Sequence, residues 1–283
     1  MPVQENTGMR ERRLFALAAR LRLQCSGAAA FLGSVPLLGA LLRRLAGRLV
    51  PRGTLTWTKV REGLADGLWI QLDARSAADM RRGDREPAVQ DALKQWLAPG
   101  KVFYDVGANT GYFCLVASRL VGPSGKIYAF EAETDVSLRL QNTAERNNLP
   151  NLSIVEAAVW SETGTVTFDR GLGSPDRMVG HVVDQGGSVR SDCVVVPAIT
   201  LDGFARTAPA PDVVKCDVEG AELEVLRGAL GLLRDKKPVV ICEVHSSENL
   251  RELRPFFQKL GYQVKMLEPE GEFPVHILAI ADL

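Results

Sequence analysis

From Val102 onward, short apolar runs alternate with longer stretches whose apolar residues recur every three or four positions. Val102–Tyr104, Ile127–Phe130, Leu152–Val155, Val213–Cys216 and Val239–Cys242 read as strands, each a compact run rich in β-branched and aromatic side chains. Helical spacing fills the intervals from Tyr112 to Val121, Thr134 to Asn147, Ala221 to Leu233 and near Glu248 to Leu260. The strands are continuously apolar rather than alternating, which marks a sheet covered on both faces. Strand–helix alternation of this kind predicts a mostly parallel, Rossmann-like α/β sheet. The run at Leu152–Val155 continues towards Ala157 and Ala158 and is read as reaching Trp160. Residues 163–168 and 193–198 read as short strands in a more irregular insertion, with 171–187 a loop between them. Tyr262–Leu267 and His276–Ile280 are expected to pair as an antiparallel ending.

Upstream, Thr54–Val60 and Leu68–Leu72 flank a glycine-bearing turn and predict a β-hairpin. Pro87–Leu97 carries Val89, Leu93, Trp96 and Leu97 at helical spacing and is stopped by Pro99-Gly100. The expected organisation is a helical leader over residues 1–52, the hairpin and helix over 53–100, and the core domain over 101–283. Within the leader, Leu23–Leu42 carries no charged side chain and as a helix would reach about 30 Å, roughly a bilayer core. Its glycines, proline and polar residues make that hydrophobicity marginal, and arginines flank both ends. Helices packed on the domain or on a partner, a membrane-surface segment with basic flanks, and a true span remain as three readings.

The most specific stretch is Val102–Phe113, VFYDVGANTGYF. A strand ends at Asp105, and Gly107 and Gly111 let the main chain approach a ligand closely. Asn109 and Thr110 are expected to cap the helix that begins near Tyr112. Further on, the second strand ends at Glu131, where a carboxylate accepts from both hydroxyls of a ribose in nucleotide-binding sheets. A dinucleotide loop seats a pyrophosphate on a helix N-terminus. Here an acid opens the loop instead; it repels pyrophosphate and suits the cationic amino end of S-adenosylmethionine. The order and spacing resemble the first two motifs of class I methyltransferases.

Composition narrows the alternatives. Lys plus Arg and Asp plus Glu both total 34 in 283 residues, so no net field recruits nucleic acid. The cysteines (Cys25, Cys114, Cys193, Cys216, Cys242) are scattered without Cys-x-x-Cys spacing, which predicts a reducing, cytoplasmic setting and neither zinc nor disulfides. The basic flanks of the leader add the expectation of peripheral membrane contact.

Ligands of open α/β sheets bind outside the carboxyl ends of the strands. That rule collects Asp105, Glu131, Ala157–Trp160, Asp217 and Glu243 with His245. Asp217 and Glu219 open a helix, where acids are favoured by about 0.3–1 kcal/mol each, so simple capping is the plain alternative. Beside the loop they could equally orient an acceptor hydroxyl, hold the cofactor amine or accept a proton. Glu243 and His245 point to the same strand face, and the glutamate is expected to raise the imidazole pKa and make it a better proton acceptor. His181 and His276 have no visible partner in the sequence. Asp217, Glu219 and Glu243 offer no ligand spacing, so no metal is expected.

Together, DVGANTGYF at 105–113, FEAE at 130–133, AAVWSETG at 157–164, TLD at 200–202, DVVKCDVEGAE at 212–222 and VVICEVH at 239–245 resemble the FkbM family of S-adenosylmethionine-dependent methyltransferases. The resemblance runs from about Gly83 to Tyr262, and the Asp-Val-Glu-Gly block is its most specific part. It implies a class I methyltransferase-like fold and a methyltransferase domain over 101–283. It also implies methyl transfer to a hydroxyl of a sugar, glycan, glycolipid or polyketide-like acceptor. By this likeness Asp105, Gly107, Asn109, Gly111 and Tyr112 surround the methionine part of S-adenosylmethionine. Glu131 with Ala132 holds the ribose, and Ala157 and Ala158 border the adenine. Asp217, Glu219, Glu243 and His245 would serve the reaction, with Glu86 bordering the acceptor. The second strand ends Phe-Glu-Ala where the family more often has Phe-Glu-Pro. A nicotinamide-dependent oxidoreductase and a non-catalytic methyltransferase-like module are the rival readings.

Overall fold

The computed structural model describes residues 53–73, 77–171, 180–182, 193–269 and 271–282. The leader, with its three readings, and most of the 171–187 loop lie outside the described residues. Leu55–Leu283 packs as one unit.

In chain order the elements are β1 (Leu55–Lys59), β2 (Trp69–Asp73), α1 (Ala78–Arg82), α2 (Pro87–Trp96), β3 (Val102–Val106), α3 (Tyr112–Val121), β4 (Lys126–Phe130) and α4 (Thr134–Arg146). There follow β5 (Leu152–Val155), β6 (Ala158–Val159), β7 (Gly164–Asp169), β8 (His181–Val182), β9 (Cys193–Ile199), α5 (Leu201–Phe204) and β10 (Val213–Cys216). The chain ends with α6 (Glu222–Arg227), α7 (Leu230–Asp235), β11 (Val239–Val244), α8 (Ser247–Lys259), β12 (Tyr262–Met266) and β13 (Val275–Ala281).

The main sheet runs β12-β13-β11-β10-β3-β4-β5. β10, β11, β3, β4 and β5 are parallel, and β13 is antiparallel to both of its neighbours. The chain winds outward from β3 through β4 to β5, then returns to the other side of β3 as β10. That reversal opens a crevice beside β3, at the strand carboxyl ends, where such sheets take ligands. Every residue of β10 and β11 is buried, as continuous hydrophobicity predicts for strands covered on both faces. Alternation then sorts side chains by face. Phe103, Val213, Ile241 and Leu278 join one apolar core with α2 and α3, whereas Tyr104, Val214, Val240 and Ile277 join a second with α6 to α8.

The hairpin of β1 and β2 is held by the end of α4. Asn147 accepts from the Trp69 N–H at 2.7 Å and donates back to the Trp69 carbonyl at 2.6 Å. The Arg146 guanidinium lies 4.6 Å and 4.3 Å from the Trp57 and Trp69 rings, within cation–π range.

Three local expectations are corrected. The stretch 221–233 is two helices: Gly228 ends the first, and its carbonyl accepts from Asp202 N–H at 2.9 Å instead of continuing the helix. The second helix starts afresh on the Asp202 carboxylate, which accepts from Gly231 and Leu232 N–H at 2.8 Å and 2.7 Å. The run from Leu152 does not reach Trp160; Ala158–Val159 pairs instead with β9 in a separate sheet of order β6-β9-β7-β8. Asn109 and Thr110 do not cap α3. Gly111 is its N-cap, at φ 86°, without a side-chain hydrogen bond.

Candidate active site

The glycine loop leaves β3 in a tight turn. Gly107 and Ala108 both donate to the Phe130 carbonyl at 3.0 Å, which ties the loop to the end of β4. Gly107 (φ 77°) lies against the Asp217 carbonyl so closely that a Cβ would come within 1.8 Å of the oxygen. No side chain fits there, and this contact fixes the loop to the turn after β10. Asn109 adopts φ 51°, a conformation its short polar side chain tolerates. Its backbone N–H thereby points at Glu131 Oε2, 2.9 Å away.

Glu131 is buried and holds a second backbone bond, from Glu133 N–H to Oε1 at 2.9 Å. Burial pushes its carboxyl up to about 7 against the pull of those N–H donors, so near neutrality it is poised between its two forms. Glu133 next to it caps α4 and receives Arg170 from the end of β7 at 2.7 Å.

The open cleft over these residues encloses about 1140 Å³ with its mouth included. Gly107, Asn109, Tyr112, Glu131, Ala132, Ala157 and Ala158 line one part of it. Asp217, Glu219 and Glu243 line another, with Arg85 and Lys215. Asp105, Gly111 and His245 do not line the cleft. Asp105 is fully enclosed, accepts from Cys114 Sγ at 3.1 Å, and is pushed up by burial.

Sequence reasoning passed over Lys215, although a lysine inside the apolar run Val213–Cys216 was a visible signal. It is buried, pairs with Asp217 at 3.0 Å and lies over the Phe113 ring. Burial alone would discharge it, but the carboxylates of Asp217, Asp105, Glu86 and Glu243 outweigh that and hold it charged. Its ammonium in turn holds Asp217 below the usual carboxylate range against the opposing effect of burial.

Glu222 was missed as well. It is fully buried at the start of α6 and accepts from Gly220 N–H (2.9 Å) and the Asn249 side chain (2.7 Å). Its Oε1 also meets His245 Nδ1 at 2.6 Å. His245 Nε2 faces Glu219 at 3.3 Å, Glu243 at 3.7 Å and Asp217 at 3.9 Å. Burial would lower this imidazole, but the Glu222 bond and the surrounding carboxylates raise it to about 9. The rise agrees with the direction read from the sequence, and it favours the protonated imidazole at neutral pH, the form that donates to the carboxylates around it. Glu219 sits at φ 51° in the Asp-Val-Glu-Gly turn, and burial together with neighbouring carboxylates pushes its own carboxyl up. His276 is also corrected: Glu268 holds its Nδ1 at 3.0 Å, and Glu86 and Glu243 stand 3.3 Å and 3.5 Å from its Nε2.

The sequence profile of the methyltransferase FkbM domain matches residues 105–264, more than half of the chain. The chain belongs to this family. Hexuronic acid methyltransferase AglP of Haloferax volcanii is 28% identical over 214 residues, covering 74% of this chain and 80% of that protein. Among solved structures, methyltransferase FkbM of Methylobacillus flagellatus KT aligns with a TM-score of 0.48 and 16% identity over 69% of this chain. The present chain spans 58% of that protein's length, under two thirds. Fibrillarin of Aeropyrum pernix, solved with S-adenosyl-L-methionine, aligns with a TM-score of 0.45 and 14% identity over 80% of this chain and 99% of its own.

The chain is therefore an S-adenosylmethionine-dependent methyltransferase of FkbM type, and the nicotinamide reading falls. The residues fit that cofactor. A buried carboxylate held by two backbone donors lies at the end of β4, and the loop that approaches it would tolerate no side chain at Gly107. Among the described residues, no helix is long and apolar enough to cross a membrane.

Proposed function

We propose that this methyltransferase acts on a hydroxyl oxygen of a sugar-type acceptor. The observation that carries the reading is that one cleft is lined both by the glycine loop with Glu131 and by the acids Asp217, Glu219 and Glu243. Carboxylates are strong acceptors for hydroxyl groups, so a polyhydroxylated molecule suits these acids. The distant likeness to a hexuronic acid methyltransferase supports the same class.

Gly107 and Asn109 hold the methionine part through the main chain, Glu131 takes the ribose, and Ala157 and Ala158 border the adenine. S-adenosylmethionine supplies an electrophilic methyl group on a sulfonium. The chain's own work is alignment, which can supply about 7–11 kcal/mol in such displacements. Glu219, raised in pKa and open to the cleft, receives the acceptor's hydroxyl proton, worth roughly 10²–10⁴-fold. Asp217, neutralised by Lys215, accepts a hydrogen bond from the acceptor and is a poor base. Glu243 offers a second acceptor oxygen. His245, pinned by Glu222, is a positioning residue that orients Glu219.

The test is transfer of labelled methyl from S-adenosylmethionine to hexose and hexuronate glycosides, after calorimetric titration with S-adenosylhomocysteine. Label that survives mild alkali marks an ether on a hydroxyl and supports the reading. Label released by alkali marks a carboxylate acceptor and overturns the hydroxyl assignment. Tight binding of S-adenosylhomocysteine without transfer to any sugar overturns the acceptor class, and with no transfer at all it favours a binding module.

A further inference from the structure

Alternation along the strands puts two successive charged pairs on the face of the sheet that carries α2 and α3, the second lying two residues further along β11 than Ile241, the partner of Lys215. Asp105 of β3 pairs in register with Lys215 of β10, and Glu243 of β11 with His276 of β13. The turn before α2 brings Glu86 onto the second pair, at φ 44°. His276 Nε2 lies 3.3 Å from Glu86 Oε2 and 3.5 Å from Glu243 Oε2. The His276 side chain is 9% exposed, yet neither Nε2 nor Glu86 Oε2 makes a hydrogen bond of acceptable geometry.

These separations are long for hydrogen bonds. The 3.3 Å separation falls within the edge between two ligands of one small cation, about 3.0–3.4 Å when each ligand stands about 2.1 Å from the ion at 90–109°, and the 3.5 Å separation lies just beyond it. All three ligand atoms lie within 4.8 Å of one another. The opposite atoms are already occupied, as in built metal sites. His276 Nδ1 is held by Glu268 at 3.0 Å, which fixes the ring with Nε2 pointing inward, and Glu86 Oε1 is held by Arg85 at 2.7 Å.

We propose that Glu86, Glu243 and His276 form a site for one divalent first-row cation of the Zn²⁺ or Mn²⁺ class. Two carboxylates balance the charge of the ion, and one imidazole favours a transition metal over Mg²⁺. Of the fixed cations nearby, Arg85 holds the other oxygen of Glu86 at 2.7 Å and Lys215 is paired with Asp217. Three protein ligands leave the coordination open, and Glu243 is shared with the cleft, so an open position faces the acceptor side. This departs from the sequence expectation of no metal, because Glu86 and His276 lie far from Glu243 in the chain and no spacing betrays them. The neighbouring group of Asp217, Glu243 and His245 is weaker, since Lys215 and Glu222 already occupy two of its members.

The test does not depend on activity. Full-length protein, stripped of metal and dialysed against Co²⁺ and then Zn²⁺, is expected to bind one equivalent, with Co²⁺ showing a visible ligand-field band. His276→Ala should weaken binding at least tenfold while the affinity for S-adenosylhomocysteine is kept, which doubles as proof of folding. Glu268→Gln, at a half-exposed position, covers the case in which the first variant fails to fold. As an outer partner of the ring it should cost about 10–100-fold in metal affinity. Less than a tenth of an equivalent bound, or wild-type affinity in either folded variant, would overturn the site. Because cofactor binding is read separately, failure of the metal site leaves the methyltransferase assignment standing.

Discussion

The backbone N–H of Asn109 donates to Glu131 Oε2 at 2.9 Å, and it can do so because Asn109 takes a left-handed conformation at φ 51°. The glycine loop is thus hydrogen-bonded to the carboxylate proposed to hold the ribose, and ionisation of that carboxylate strengthens the bond. Glu131 titrates near 7, raised by burial from an ordinary value of 4.5. The folded state therefore holds this proton more tightly than the unfolded chain does. Stability contributed by the group is fully present below 4.5 and declines as pH rises to about 7, by on the order of 3 kcal/mol. Wild type minus Glu131→Gln in urea melts across that window should show the decline, and parallel curves would refute it.

Cofactor binding has the opposite dependence. Two ribose hydroxyls need the ionised carboxylate as acceptor, so affinity for S-adenosylhomocysteine should fall as pH drops below about 7, approaching tenfold per pH unit. Near pH 6, binding should release close to one proton, read by calorimetry in two buffers of different ionisation enthalpy. An affinity independent of pH through this range would remove Glu131 from the ribose site.

Glu222 is expected to be the most expensive single carboxylate to delete. Glu222→Ala removes the acceptor of Gly220 N–H and the partner of His245 Nδ1, and leaves the Asn249 amide only the Gly220 carbonyl at 3.0 Å. Breaking a buried pair in this way costs roughly 3–5 kcal/mol. Denaturant unfolding should show a loss of that size, and a change under 1 kcal/mol would mean the pair is effectively solvated (~1 kcal/mol being the surface value).

Much of this architecture was legible because it depends on local pattern. Val213–Cys216 and Val239–Val244 announce covered strands, and Gly107 with Glu131 announces the ligand edge. What escaped depends on contacts between distant parts of the chain. The helix breaks at Gly228 where its carbonyl turns to Asp202 N–H, and Ala158 leaves the main sheet to pair with Ala198. His276 looked partnerless because its acids come from residues 86, 243 and 268. His245 was judged by one neighbouring glutamate, when four carboxylates converge on it.

The hairpin offers a test that leaves the cleft untouched. Asn147→Ala removes both reciprocal bonds to the Trp69 backbone and leaves a donor and an acceptor to find water. A cost of about 1–3 kcal/mol follows, and it should be local. Amide exchange in Trp57–Lys59 and Trp69–Leu72 should accelerate while β3 and β10 stay protected. Uniform acceleration across the sheet would show instead that the hairpin and the core open together.

Two glycines separate close approach from backbone freedom. Gly107 and Gly122 both have positive φ, 77° and 62°. A Cβ at Gly122 would meet nothing within 4 Å, so Gly122→Ala carries only the conformational cost of its φ 62°, ψ −172° backbone, about 1–3 kcal/mol. A Cβ at Gly107 would stand 1.8 Å from the Asp217 carbonyl oxygen, and backbone on both sides must move to admit it. That displacement pulls the glycine loop away from the turn that presents Asp217 and Glu219, the two halves of the cleft. Gly107→Ala is therefore expected to lower S-adenosylhomocysteine affinity at least tenfold in any fraction that folds, whereas Gly122→Ala keeps wild-type affinity despite its lower melting temperature. Equal affinities in the two variants would mean that the contact between the loop and the Asp217 turn is dispensable, and that the cleft is assembled by the sheet alone.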